Sequence, residues 1–222
     1  MYRLSIPSSG HISPRLNHKI LDVALLRQWF CSIGTTKSDA NPDAITGLSV
    51  LSESLKGCSR IALLGIGSEL RGDDSAGILL VRELGRMVKK SPFSHLGFEG
   101  FEGGSAPENA TGFIKRFKPS HIVIVDAADI SLAAGEHREI DPAEISDITF
   151  STHTLPMKII TEYLKQATGA TISIIGVQPE NLDFGRPPTE ALLRGVRRLS
   201  EQLYEIMCEC DLRIGALAPA SH

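Results

Sequence analysis

From Arg60 onward, short apolar runs alternate with amphipathic stretches. The run at 60–66 (RIALLGI), HIVIVDA at 121–127 and TISIIGV at 171–177 are nearly continuous in apolar residues. That pattern predicts strands covered on both faces, as in a parallel sheet. HLGFEGF at 95–101 predicts a further strand, and EHREI predicts a short edge strand. Between them the period changes. Ile78, Leu79, Val81, Leu84 and Val88 predict one helix; Leu155, Ile159, Ile160, Tyr163 and Leu164 predict another. Leu192, Val196, Leu199, Leu203 and Ile206 step by four and three and predict a long terminal helix. Ser105 and Glu108 have capping-box spacing with Pro107 between them, which predicts a helix running to Phe117. Ile45, Leu48, Leu51 and Leu55 predict a helix that Gly57 stops.

Strands alternating with helices predict an α/β fold: a doubly wound, mostly parallel twisted sheet with helices on both faces. Residues 45–222 form that single domain in this reading. Residues 1–44 are an N-terminal extension, partly flexible. Its first part is polar and carries Pro7 and Pro14; 18–30 predict a short amphipathic helix, and 32–44 have linker composition. The extension is expected to be a dispensable arm.

Composition narrows the partners. A formal net charge of −3 over 222 residues argues against nucleic acid, which needs a clustered basic surface. Arg194, Arg197 and Arg198 sit in the terminal helical pattern and read as a solvated face. No apolar run approaches the ~20 residues of a membrane span. The apolar patch Ile20–Leu26 contains Asp22 and lacks a cleavage pattern after it, so no secretory signal is read. Cys31, Cys58, Cys208 and Cys210 make no CxxC pair and no disulfide-dense spacing, so free thiols in a reducing, cytoplasmic compartment are expected.

The candidate chemistry lies in GIGSELRGDDSAG, residues 65–77, between the first strand and its helix. The third glycine comes too late for GxGxxG, and no Gly-Lys-Ser/Thr follows. Asp73 and Asp74 stand where phosphates would sit and would repel them. In doubly wound sheets, ligands bind beyond the carboxyl ends of the strands. The loop with Asp73 and Asp74, Asp126 ending HIVIVDA, Gln178 after TISIIGV and His153 in STHTLP should therefore face one crevice. Taken alone, Asp74 reads as a helix cap and His153 as a loop histidine. Together, Asp74, Asp126 and His153 supply an O,O,N donor set with open positions, suited to nickel, zinc or cadmium more than magnesium. No GxSxG elbow and no HExxH is present. A nickel-binding module without enzymatic activity, a nucleotide-binding α/β domain and an inert scaffold are the competing readings.

Five motifs then occur in one order: GIGSELRGDDSAG, EGGSAPEN at 102–109, IVIVDAADI at 122–130, STHTLPMKIITEYL at 151–164 and IIGVQPE at 174–180. Together they resemble the nickel–iron hydrogenase maturation endopeptidases, most of all the formate-hydrogenlyase branch, across residues 58–207. The resemblance implies an aspartic-type endopeptidase that removes the C-terminal extension of a hydrogenase large-subunit precursor after nickel insertion. It implies a monomer that holds no permanent cofactor, the nickel being carried by the substrate. By motif it places metal and substrate contact on Asp74, Asp126 and His153, with Asp74 or Asp73 as base; the nucleophile stays open between a carboxylate and a metal-bound water. Ser68 and Ser75 stand where the family commonly has Asn and Gly.

Overall fold

The computed structural model describes residues 48–146, 148–150 and 157–217. The predicted extension, with its 18–30 helix and linker, lies outside them. Helix α1 spans Ser49–Ser54 and strand β1 Arg60–Ile66. After a 3-10 turn at Gly72–Ser75 comes α2, Ala76–Lys90, then β2, Gly97–Gly104. A second 3-10 turn, Pro107–Ala110, leads into α3, Thr111–Phe117. The chain continues as β3 (His121–Asp129), β4 (His137–Ile140), β5 (Thr149–Phe150), α4 (Met157–Thr168), β6 (Thr171–Val177) and α5 (Glu190–Leu217).

The sheet order is β2-β1-β3-β6-β4, with β5 paired to β3 off that path. β2, β1, β3 and β6 run parallel, and β4 closes the edge antiparallel to β6. The doubly wound sheet is thus present. Alternation along the strands divides the core. Ile61, Leu63, Val123, Val125, Ile175 and Val177 pack with α1, α2 and α5. Ala62, Leu64, Ile66, Ile122, Ile124, Ala128 and Ile174 pack with α3 and α4. A strand covered on both faces has no polar side, which is why the strands read as unbroken apolar runs. Among the described residues, no helix is long and apolar enough to cross a membrane.

Several local expectations change. Ser105 does not cap: the 3-10 turn starts after Ala106, no side chain closes it, and Thr111 Oγ1 donates to the Glu108 carbonyl instead (2.7 Å). The segment therefore splits into a 3-10 turn and a short helix. β2 starts and ends later than the apolar pattern suggested, because its pairing with β1 continues to Ile66↔Gly104. β3 likewise runs past Asp126 to Asp129, held by β6 and β5. The arginines of α5 are exposed, as expected of a solvated face. Cys58, Cys208 and Cys210 are free thiols; Cys58 and Cys210 are buried.

Candidate active site

The winding reverses between β1 and β3: β1 connects outward to β2, and the chain returns to β3 on the other side. Adjacent strands whose connections diverge leave a crevice at their carboxyl ends. The last β1–β3 pair is Gly65↔Val125. Asp126 is the next residue of β3, paired with Gly176 of β6. It is fully buried, at 0% exposure. Ile124 and Ala128 belong to the core on the α3/α4 side, so strand alternation places Asp126 on that side too.

The turn that carries Asp74, in the loop after β1, also lies against β3. This 3-10 turn leads directly into α2, and Asp73 and Asp74 are both 0% exposed. Two glycines make the close approach possible. Gly67 has φ +130°, and a Cβ there would lie 1.7 Å from the Asp74 carbonyl oxygen. A Cβ on Gly77 would lie 2.3 Å from the Val125 carbonyl oxygen and 2.5 Å from Ile66 N. The first turn of α2 is therefore pressed against the ends of β1 and β3, beside Asp126. Any side chain at Gly77 would push the helix off the sheet. Ser75 is the N-cap residue of α2, and its side chain does not cap the helix; Asp74 stands one residue before it.

The first aspartate of GDD, Asp73, is tied to a neighbouring loop. Both Asp73 oxygens hold the β6–α5 loop. Oδ2 accepts from Glu180 N (2.8 Å), Asn181 N (3.2 Å) and Thr189 Oγ1 (3.0 Å); Oδ1 accepts from Thr189 N (2.7 Å). The Thr189 hydroxyl in turn accepts from Leu192 N, fixing the first turn of α5 (3.2 Å). A carboxylate engaged by four donors is a tether between the two loops. Glu69, in the same loop, is braced from the other side. Arg82 of α2 forks between Glu69 and Glu102 of β2, and that contact draws the Glu69 carboxyl below its usual range.

Gln178 follows β6 as expected, but its side chain braces the chain beyond β3. Its Oε1 accepts from Ile130 N (2.8 Å) and Leu132 N (3.3 Å). A cavity of about 280 Å³ opens at this edge, lined by Ala127, Ala128, Asp129, Thr149, Phe150, Pro179 and Leu182. His153 lies outside the described residues. The flanks of its segment are visible: Phe150 pairs with Ala128 at the end of β3, and Met157 opens α4, buried in the α3/α4 core. No group of three His, Cys, Asp or Glu able to hold a metal occurs among the described residues.

Sequence reasoning did not anticipate the partners of Asp73, the strand β5 or the cavity. Asp73 and Thr189 are more than a hundred residues apart in the chain, and two residues of β5 give no period to detect.

Comparison with known proteins agrees with this arrangement. A family model described as hydrogenase maturation protease matches residues 78–208. A Methanocaldococcus jannaschii protein whose name places it among the hydrogenase maturation proteases is 38% identical over 165 residues, covering 73% of this chain and 97% of the relative. The hydrogenase 3 maturation protease of Escherichia coli is 34% identical over 142 residues, covering 64% of this chain and 86% of the relative. In structure, the chain is similar to the nickel–iron hydrogenase maturation protease HycI of Thermococcus kodakarensis. That match has a TM-score of 0.61 at 36% identity and covers 72% of this chain and 99% of the other. A doubly wound sheet with buried aspartates at its switch point, matched in sequence and in fold to these enzymes, identifies the chain as a member of the hydrogenase maturation protease family.

Proposed function

We propose that this peptidase removes the C-terminal extension of a nickel–iron hydrogenase large-subunit precursor, and does so by docking onto the nickel the precursor already carries. The observation that carries the reading is the burial of Asp74 and Asp126 at the mouth between β1 and β3. Both are carboxylates, hard oxygen donors that suit a divalent cation and repel a phosphate. His153 completes the set as a borderline nitrogen donor. Three residues of extended chain span at most about 11 Å, and Phe150 is fixed at the end of β3. Asp126 also lies on the side of the sheet that α4 covers, and His153 is in the segment leading into α4.

In this mechanism the metal is part of the substrate. An unloaded precursor offers no anchor, so maturation is ordered: nickel first, cleavage second. Asp74, Asp126 and His153 bind the precursor's nickel and orient the scissile peptide. Fixed geometry of that kind can supply a large share of a rate enhancement. Asp74 serves as the general base, taking a proton from the attacking group, while Asp73 holds the β6–α5 loop. The protein acts as a cytoplasmic monomer.

The test follows the mass of a purified large-subunit precursor incubated with the protein, with and without nickel loading. The expected result is a C-terminal mass loss only in the loaded precursor, abolished by Asp74→Ala, Asp126→Ala and His153→Ala. Intact loaded precursor after incubation with the native protein would overturn the peptidase assignment. Cleavage of the unloaded precursor at an equal rate would overturn the nickel anchor.

A further inference from the structure

Two loops at the carboxyl edge of the sheet are locked to each other beside the candidate active site. One is the loop carrying Asp74; the other joins β6 to α5. Gly72 N donates to Arg186 O (3.0 Å), Asp73 N to Asn181 O (2.9 Å) and Gly185 N to Leu70 O (2.7 Å). Arg71 Nε donates to Leu182 O (3.2 Å), and the Asp73 carboxylate gathers Glu180, Asn181 and Thr189. Segments cross-braced by this many bonds behave as one rigid lip.

That lip presents two large apolar side chains to water. Leu70 is 62% exposed and Phe184 76% exposed. The Leu70 carbonyl accepts from the backbone N–H of Gly185, the residue after Phe184. Single exposed apolar residues are ordinary, but two on one braced lip beside a cavity offer a contact surface. Leu182 and Pro179 of the same loop line the 280 Å³ cavity at the end of β3. The apolar features therefore run from that cavity, through Leu182, to Phe184 and Leu70. One end lies at Ala127 and Ala128, the two residues that follow Asp126 in β3, and the other belongs to the loop of Asp74.

We propose that this lip is the docking surface for an extended apolar segment of the precursor adjoining the scissile bond, with Leu70 and Phe184 as its anchors and Asp73 as the tether that holds it in place. This rests on the peptidase reading above. An extended peptide fits the line of features better than a globular partner does, because a side chain can enter the cavity while its neighbours cross the lip at ~3.3 Å per residue. Apolar anchors at a fixed site also supply the binding that orients a peptide whose metal end is held elsewhere.

The experiment measures binding and cleavage of nickel-loaded precursor by the native protein and by Leu70→Ser and Phe184→Ser. Both positions are exposed, so melting temperatures should stay at the native value. Each substitution is expected to raise Kd and KM by about fivefold or more, as loss of an interface anchor does, with kcat within about twofold of native. Unchanged Kd and KM in both variants, with native cleavage intact, overturns the docking surface and leaves the peptidase reading standing. Light scattering that shows a native dimer converted to monomer by the substitutions, with precursor binding unchanged, assigns the lip to a second copy and also overturns it. A native protein that neither binds nor cleaves its loaded precursor overturns the peptidase reading, and this inference with it.

Discussion

Asp73→Ala removes the carboxylate that ties the two loops at the sheet edge together. The native carboxylate accepts four hydrogen bonds, from Glu180 N, Asn181 N, Thr189 N and Thr189 Oγ1. A hydrogen bond to a charged group contributes roughly 1.5–3 kcal/mol, so simple addition would give about 6–12 kcal/mol. Addition overestimates here. The donors are only part-buried, water replaces some of the lost bonds, and bonds to one carboxylate are not independent. About 3–5 kcal/mol is the expected cost. For a chain of this size each kcal/mol moves the melting temperature by about 2–4 °C, giving a fall of roughly 6–20 °C. Asp73→Asn keeps one acceptor oxygen and turns an amide NH₂ toward N–H donors, so it should lie about halfway. Thr189→Val removes the hydroxyl that both donates to Asp73 and accepts from Leu192 N; about 1–2 kcal/mol is expected from a lost cap of that kind. Circular dichroism melts of the three variants check the series. A melting temperature of Asp73→Ala within 2 °C of native would show that the loop is not held through this carboxylate.

Three further outcomes follow from buried groups and close contacts. Gly67→Ala forces a side chain into φ +130° with its Cβ 1.7 Å from the Asp74 carbonyl oxygen; it should destabilise the fold by about 3 kcal/mol or more and abolish precursor cleavage, and a native-like melt with native cleavage would contradict the packing described. His121 is buried, and burial pushes its pKa down to about 4. A folded pKa below the unfolded value of about 6.5 means the unfolded chain takes up the proton first. Stability should therefore fall by about 3 kcal/mol as pH drops from about 6.5 to 4 and level off below that. Urea titrations across that window should show the slope in native protein and its loss in His121→Gln; equal slopes in both would refute it. Burial likewise pushes the Cys58 thiol up and the Cys210 thiol up to about 11. Both should resist iodoacetamide in the native protein at neutral pH and react on unfolding, read by peptide mass; rapid labelling of either in the folded protein would contradict their burial.

Much of the fold is legible in the residues because the sheet is covered on both faces. A doubly covered strand must be apolar throughout, and β1, β3 and β6 announce themselves for that reason. The two short strands behaved differently. β4 carries enough alternation to be read, whereas β5 is two residues long and depends on the end of β3 for its existence. The Ser105 cap failed because capping-box spacing is local, while the turn at 107–110 is shaped by packing of Pro107 and Ala110 into the core. At the site, sequence order placed Asp74 and Asp126 at one edge of the sheet, the first in the turn after β1 and the second in β3 beyond its last pair with β1. It did not separate Asp73 from Asp74. Nothing local distinguishes two adjacent aspartates, and the role of the first comes from a loop more than a hundred residues away that its carboxylate holds.

The central claim is that the precursor's nickel is what Asp74, Asp126 and His153 recognise. Its most direct test is the affinity of nickel-loaded and nickel-free precursor for the protein, measured side by side by calorimetry with native protein and with Asp126→Asn. Asn keeps the size of the side chain and removes the charge. The account predicts that loading tightens binding to native protein about tenfold or more, a difference of roughly 1.4 kcal/mol, and that Asp126→Asn loses this advantage while its affinity for the empty precursor is unchanged. Equal affinity of the native protein for loaded and empty precursor would contradict it.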